Sequence, residues 1–316
     1  MSTRVAAIDL GTNTVRLLVA DVRPNGAGWH TVLAEQRVTR LGEGLRATGA
    51  LGDAAAARTA ATVADYVARA RATGATRIAI VATSAVRDAS NGRAFVADLG
   101  RSTGVHVRVV SGEEEARLTL AGITAALGAL RGLAVAFDIG GGSTEYILAR
   151  DGRLLQAVSL RLGVVPLAER FAFPGPVDPE RYAALRREVD GQLARELSPA
   201  IATARVETLV GTAGTVTTLA ALDLGLLDYD AARVQGHALT RVAIEQQRRR
   251  LSRLDLAGRA TLPCLEPGRA DLIVPGVAIV EATLDRLACE RLIVSDWSLR
   301  EGILAELAAP PSLTGC

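Results

Sequence analysis

Ala7-Ile8-Asp9-Leu10-Gly11-Thr12-Asn13-Thr14-Val15-Arg16-Leu17-Leu18-Val19-Ala20 aligns without a gap on Ala136-Phe137-Asp138-Ile139-Gly140-Gly141-Gly142-Ser143-Thr144-Glu145-Tyr146-Ile147-Leu148-Ala149, 129 residues further along the chain. In each copy an apolar run reaches an Asp, passes through Gly and hydroxyl residues, and resumes as an apolar run. This reads as a β-hairpin whose tight loop exposes backbone N–H groups able to hold phosphate. Two copies imply two related α/β halves facing each other across a cleft, with the paired aspartates placed to share a metal ion or an activated water.

Working outward, strand-like runs fall at Arg4–Leu10, Val15–Val22, Thr31–Arg40, Arg77–Ala82 and Val105–Val110, with helical patterns at Asp53–Thr73 and Ser90–Thr103. Three antiparallel strands followed by parallel ones is the order this predicts. After a helix at Glu113–Leu127 the order restarts with strands Ala134–Asp138, Thr144–Arg150 and Arg153–Arg161, helices near Pro166–Phe171 and Pro179–Leu197, strand Thr208–Gly211 and another helix. The boundary is placed at Leu127–Leu133, giving domains 1–128 and 129–316. The last helix, Leu299–Leu307 within segment 299–316, is free to pack on either half.

With 316 residues, 49% of them apolar, the chain can bury a large core. All 36 basic residues are Arg. That rules out a P-loop Lys, a kinase strand Lys, a Schiff base and a Lys general base, so phosphate chemistry must rest on Arg, backbone N–H and a metal. A net charge of +2 and 3% aromatics disfavour nucleic acid as a partner. No run approaches the roughly 20 apolar residues of a membrane span and no leader pattern opens the chain, so no membrane association and a cytoplasmic location are expected. Cys264 and Cys289 read as core fillers and Cys316 as a tail thiol, none with metal-type spacing.

Alone, Asp9 or Asp138 could be an Asx-turn cap; recurrence in duplicated loops turns both toward a metal or water-positioning role. Gly140-Gly141-Gly142-Ser143-Thr144 could be a flexible turn, but three glycines between apolar strands leave donors for an anion. Glu113-Glu114-Glu115 opens a helix, where acidic residues are ordinary. Its position between the two glycine loops in sequence makes it a candidate base, because crowded carboxylates raise one another's proton affinity. Arg87, in a strand-end loop, could pair with Asp88 or serve as a fork for phosphate oxygens. Gly211-Thr212-Ala213-Gly214-Thr215 is a second strand-to-helix glycine loop suited to phosphate or ribose. His237 reads as a structural or substrate-facing polar group rather than a metal ligand.

Read together, AAIDLGTNTVRLLVAD, VTRLGEGL, ATSAVRDASN, SGEEEARL, FDIGGGSTEY, VGTAGTVTTLAAL, YDAARVQGHALT, RADLIVPGVAIVEA and SDWSLREGIL resemble the exopolyphosphatase and guanosine-pentaphosphate phosphohydrolase (Ppx/GppA) family of the actin-like ATPase superfamily. The resemblance implies two ribonuclease-H-like α/β domains around a cleft, and hydrolysis of the terminal phosphoanhydride of inorganic polyphosphate. It places the general base on Glu115, with Glu114 as the fallback. It puts Mg2+ at Asp138 and Glu145, with Asp9 opposite, and phosphate on Arg87 and the amides around Gly141, Gly142 and Ser143; Asn13, Thr14, Thr144, Gly211, Gly214 and Thr215, in the glycine loops, are further candidate phosphate-binding residues.

One departure is Pro166, where many members carry Arg; either a polyanion contact is lost or Arg161 and Arg170 substitute for it. The chain also ends where the two-domain core ends, so a short-form enzyme favouring short polymers is expected. The resemblance is compatible with a homodimer. It equally admits guanosine pentaphosphate or tetraphosphate as ligand in the stringent response, or a non-catalytic binder of alarmone or polyphosphate. A sugar kinase or chaperone ATPase would need an acceptor site or a peptide-binding domain.

Overall fold

The structure, a computed structural model, describes residues 2–23 and 28–309; Cys316 lies outside them. The chain forms two compact units, Met1–Ala125 with Ser298–Cys316, and Ala126–Trp297. In the first unit, β1 (Thr3–Leu10), β2 (Thr14–Val22), β3 (Trp29–Val38), β4 (Arg77–Ala82) and β5 (Val107–Val109) build a sheet in the order β3-β2-β1-β4-β5. The first three are antiparallel, and β4 and β5 run parallel to β1.

The second unit has β6 (Leu133–Ile139), β7 (Thr144–Arg150), β8 (Arg153–Leu160), β9 (Thr208–Thr212), β10 (Ala238–Thr240) and β11 (Arg291–Ser295), in the order β10-β11-β9-β6-β7-β8. Its run β8-β7-β6-β9-β11 repeats the first sheet, so both units have the ribonuclease-H-like order. The duplication holds to the residue: Asp9 faces Arg16 across β1 and β2, and Asp138 faces Glu145 across β6 and β7. The same backbone bond closes each loop, Gly11 N–H to Thr14 O (3.1 Å) and Gly140 N–H to Ser143 O (2.9 Å).

β1 is buried on both faces because it is central, and its alternate residues serve two cores. Ala6, Ile8 and Leu10 join Val63, Tyr66 and Val67 of the helix Asp53–Ala72. Val5 and Ala7 join Leu118 of the helix Gly112–Leu127 and Leu299, Ile303 and Leu304 of the helix Leu299–Ala308. Asp9 is odd-numbered and falls on this second face. The last helix thus belongs to the first unit, started by a reciprocal cap in which the Ser298 hydroxyl and the Glu301 carboxylate each accept a backbone N–H.

These two helices approach backbone to backbone. A Cβ on Gly122 would lie 2.0 Å from Ser298 O, and one on Gly302 would lie 1.9 Å from Leu118 O. Gly302→Ala is expected to cost about 1–3 kcal/mol as the helices are pried apart, read as a lower thermal midpoint. An unchanged midpoint would show the crossing to be loose.

The structure corrects several sequence boundaries. β10 and β11 were not expected: three residues of Ala-Leu-Thr hold no alternation, and Arg-Leu-Ile-Val-Ser is too short to separate from a buried helix segment. The Arg77–Ala82 run is followed by a short helix, Ser84–Asp88, and the next helix opens at Gly92 rather than Ser90. The helix assigned to Pro166–Phe171 runs from Val164 to Arg170, so Pro166 sits inside its first turn, where its missing N–H is tolerated.

Candidate active site

The two glycine loops share one construction: the first amide closes the loop, carbonyls are tied down from behind, and the amides that follow the first glycine are left without a backbone partner among the described residues. In the first unit Gly42 N–H donates to Thr12 O (2.8 Å), and the amides of Thr39 and Arg40 donate to Asn13 O (2.9 and 3.0 Å). In the second, Val165 N–H donates to Gly141 O (2.9 Å), the position matching Thr12, and Val164 N–H to Gly140 O (3.2 Å). The amides of Gly141, Gly142 and Ser143 make no such bond among the described residues. A backbone segment behind each loop therefore orients it, and the amides left over have the arrangement of a nest, the kind of concavity in which backbone N–H groups can hold an anion. The helix behind the second loop offers no donors of its own: its first two amides serve the loop, Pro166 has none, and Leu167 N–H goes to Gly163 O.

Gly163 is what permits this contact, since a Cβ there would stand 2.3 Å from Gly141 O and Gly142 C. Thr144 is fully buried with its hydroxyl donating to Leu162 O, leaving the loop surface to Gly141, Gly142 and Ser143. In the first unit Thr12 shares a hydroxyl hydrogen bond with Ser84 (2.9 Å). Asn13 is buried, its Nδ2 reaches Thr14 Oγ1 at 3.3 Å, and its Oδ1 has no partner among the described residues. Turning that carboxamide over would present an N–H donor instead, the group an anionic oxygen takes.

Asp9 lies 4.0 Å from Arg16 Nη1 and is nearly inaccessible. Burial pushes its pKa up to about 6, against the opposing pull of Arg16 and Arg300; Glu301 adds to the rise. A raised folded pKa means that the stability contribution of the protonated form is complete below about 3.8 and is lost as pH climbs through about 6. Asp9→Asn should therefore raise the thermal midpoint at pH 7.5, measured without divalent cations, by an amount on the order of 2–3 kcal/mol. The gain should vanish by pH 4. A gain that persists there would mean that burial of charge is not its source.

Arg87 and Glu115 meet. The helix Ser84–Asp88 carries Arg87 off the end of β4, and the first turn of Gly112–Leu127 carries Glu115. Arg87 Nη1 donates to Glu115 Oε2 (3.0 Å) and to Val110 O (2.9 Å), while its Nη2 makes no hydrogen bond among the described residues. Glu115 is 8% exposed. Glu114 is turned away and pairs with Arg108 at 3.4 Å, so only one of the three glutamates joins the arginine.

In the second unit Asp138 and Glu145 are directly opposed carboxylates, where the first unit has Asp and Arg. Glu145 is buried, and its Oε1 accepts from the hydroxyls of Ser143 (2.8 Å) and Ser159 (2.6 Å). Like charges across a strand pair repel, and a hard cation is one way to offset them. Among the described residues no three His, Cys, Asp or Glu form a ready cage. Mg2+ needs none, since it takes one or two carboxylates and completes its octahedron with water and substrate oxygens, so the donor set fits.

At the second strand-to-helix loop, Gly211 packs under the Phe137 ring and Val216, and Thr215 lies against Gly276. Ala213 holds φ of +70°, a conformation disfavoured for any residue with a Cβ, at the point where β9 turns into its helix. A Cβ on Gly214 would lie 2.0 Å from Arg269 Nη1, so this arginine covers the loop. His237 Nε2 and Asp223 Oδ2 are 2.8 Å apart, so His237 is paired with an acidic side chain of its own unit. Arg170 is bound to Glu188 at 2.9 Å, and so is engaged away from the loop.

A model of the Ppx/GppA phosphatase family matches residues 18–309. The chain belongs to the Ppx/GppA phosphatase family. It is 38% identical over 324 residues to Exopolyphosphatase 2 of Mycobacterium tuberculosis, covering 97% of this chain and 99% of that one. A crystal structure of the Aquifex aeolicus family member superposes with a TM-score of 0.82 at 31% identity, over 97% of this chain and 98% of that one. An exopolyphosphatase from Cytophaga hutchinsonii gives 0.89 at 26% identity, with the same coverage. In this Ppx/GppA chain the residues not singled out from sequence are Arg16, Arg300, Glu301 and Arg269. Arg16 was findable, since it aligns with Glu145 in the duplicated segment. The other three come beside Asp9 or Gly214 only through tertiary packing. No helix among the described residues is long and apolar enough to cross a membrane.

Proposed function

We propose that this Ppx/GppA protein is an exopolyphosphatase, releasing orthophosphate from the end of inorganic polyphosphate. The pairing of Arg87 with the buried Glu115 carries the reading: a guanidinium fork for phosphate oxygens sits 3.0 Å from a carboxylate able to take a proton. The relatives named exopolyphosphatase support the substrate class.

In the reaction, water adds to the terminal phosphorus and the P–O bond to the bridging oxygen breaks. The shortened chain leaves with that oxygen, and one proton of the water goes to Glu115 Oε. Arg87 and the amides of Gly141, Gly142 and Ser143 bind and orient phosphate oxygens, and in such in-line transfers positioning and charge neutralisation account for most of the catalysis. Asn13 and Thr14 are further donors of the first unit, and Arg269 of the second. Asp138 and Glu145, opposed across β6 and β7, are the carboxylates of the second unit that would hold Mg2+, which when bound supplies Lewis-acid polarisation and neutralises charge, and Asp9 is the matching carboxylate of the first unit.

The test is phosphate release from short and long polyphosphate and from guanosine pentaphosphate, with and without Mg2+. Turnover of polyphosphate supports the reading. Turnover of the nucleotide alone would move the assignment to alarmone hydrolysis, and binding without turnover would make the chain a sensor.

A further inference from the structure

Each unit carries a row of three residues across its hairpin and the next strand, and the two rows differ in chemistry. In the first unit Asp9 faces Arg16 across β1 and β2, and Arg16 faces Gln36 across β2 and β3. In the second, Asp138 faces Glu145 across β6 and β7, and Glu145 faces Ser159 across β7 and β8. A guanidinium and a carboxamide bring N–H donors to the first row. The second row offers oxygen alone, the donor type that a hard divalent cation takes.

Ser159 is the member of this row that no motif singles out. Its hydroxyl donates to Glu145 Oε1 at 2.6 Å, and the Ser143 hydroxyl donates to the same oxygen at 2.8 Å. Glu145 is 1% exposed, yet packing alone leaves the plane of its carboxylate loosely defined, because the last torsion of a glutamate is broad. Two O–H donors reaching one oxygen from separate segments, the glycine loop and β8, fix that plane.

Resting on Asp138 and Glu145 as the carboxylates for Mg2+, we infer that Ser159 is a positioning residue of this site: its hydroxyl, with that of Ser143, holds the Glu145 carboxylate in the orientation that receives a divalent cation. Ser159 acts through Glu145. A carboxylate that must find its plane anew on each encounter binds a cation less tightly, since the ordering is then charged to binding. The shared Oε1 also makes one hydrogen-bonded frame of the carboxylate and the glycine loop.

Mn2+ is the probe, and its binding to the full chain is read from the decline of the free-ion paramagnetic resonance signal. The proteins compared are the wild type, Ser159→Ala, Ser159→Thr, Glu145→Gln and the Ser159→Ala/Glu145→Gln double variant. Ser159→Ala should weaken Mn2+ binding about 10- to 100-fold, the usual loss when a hydrogen bond to a metal ligand is removed. Ser159→Thr restores the hydroxyl and should recover most of the affinity. In the Glu145→Gln background the Ala substitution should change nothing further. The thermal midpoint without divalent cations reports whether each variant keeps its fold.

Wild-type affinity in Ser159→Ala would overturn the positioning role. So would a loss of equal size in the Glu145→Gln background, or a Thr variant no better than Ala, since either places the effect in packing. Should Glu145→Gln leave Mn2+ binding untouched, the positioning role and the cation role of Glu145 fail together, while turnover of polyphosphate by the wild type still decides the exopolyphosphatase reading on its own.

Discussion

Glu115→Gln is expected to lower kcat for polyphosphate hydrolysis by about 10²–10⁴ with KM unchanged or lowered. Gln preserves the side-chain shape and can still accept from Arg87, so packing at this buried position is retained and the loss isolates proton transfer. The structure separates Glu115 from its neighbour. Glu114 is a third exposed and engaged by Arg108, on a face of the same helical turn that Arg87 does not reach. Glu114→Gln should therefore stay within about threefold of wild type, in keeping with the small worth of surface ion pairs. Parallel measurement of kcat, KM and the thermal midpoint decides the matter. If the Glu114 variant is the inactive one, the base has been assigned one residue too far along.

Gly163→Ala is the second large effect, and it touches no reacting group. The backbone at Gly163 has φ of −116° and ψ of 159°, which any residue adopts, so the penalty is steric and not conformational. The added carbon would meet Gly141 O and Gly142 C at 2.3 Å and Gly142 Cα at 2.5 Å. All three are backbone, and none can swing aside as a side-chain tip would. Relief requires the Gly140–Ser143 loop to move away from the helix that holds its carbonyls, carrying its free amides out of register. A displacement near 1 Å costs about 10² in such sites, so kcat/KM should fall at least that far, with about 1–3 kcal/mol of stability lost to overpacking. Gly175→Ala, where nothing lies within 4 Å, is the matched control and should change neither. Full activity in Gly163→Ala would mean that the loop amides bind no substrate.

Much of this was legible in the chain. The alignment of residues 7–20 on 136–149 foretold the hairpins and even their register, because an apolar strand ending in Asp and Gly has few other ways to turn. What stayed hidden depends on contacts distant in sequence. Nothing in Leu162-Gly163-Val164 announces that this glycine lies under another glycine loop, since its φ is ordinary and its constraint is a neighbour more than 20 residues away. Arg269 is one of 36 arginines until Gly214 is placed beneath it. The three consecutive glutamates could not be told apart by type, and only the helical turn decides which one meets Arg87. Strand β11 was missed because five residues, buried on both sides of a mixed sheet, carry no period to read.

The close crossing at Gly122 and Gly302 also has a bearing on synthesis. The helix that covers the Asp9 face of β1 is translated only after the whole of Ala126–Trp297. On the ribosome, the second unit can therefore close around its own core while the first, though begun earlier, waits with Val5, Ala7 and Leu18 covered on that face by Leu118 alone of the helical residues. A nascent chain paused anywhere in the second unit carries a partly open apolar sheet face, with Leu299, Ile303 and Leu304 still missing from it. The first unit thus stays exposed to aggregation until the helix Leu299–Ala308 emerges.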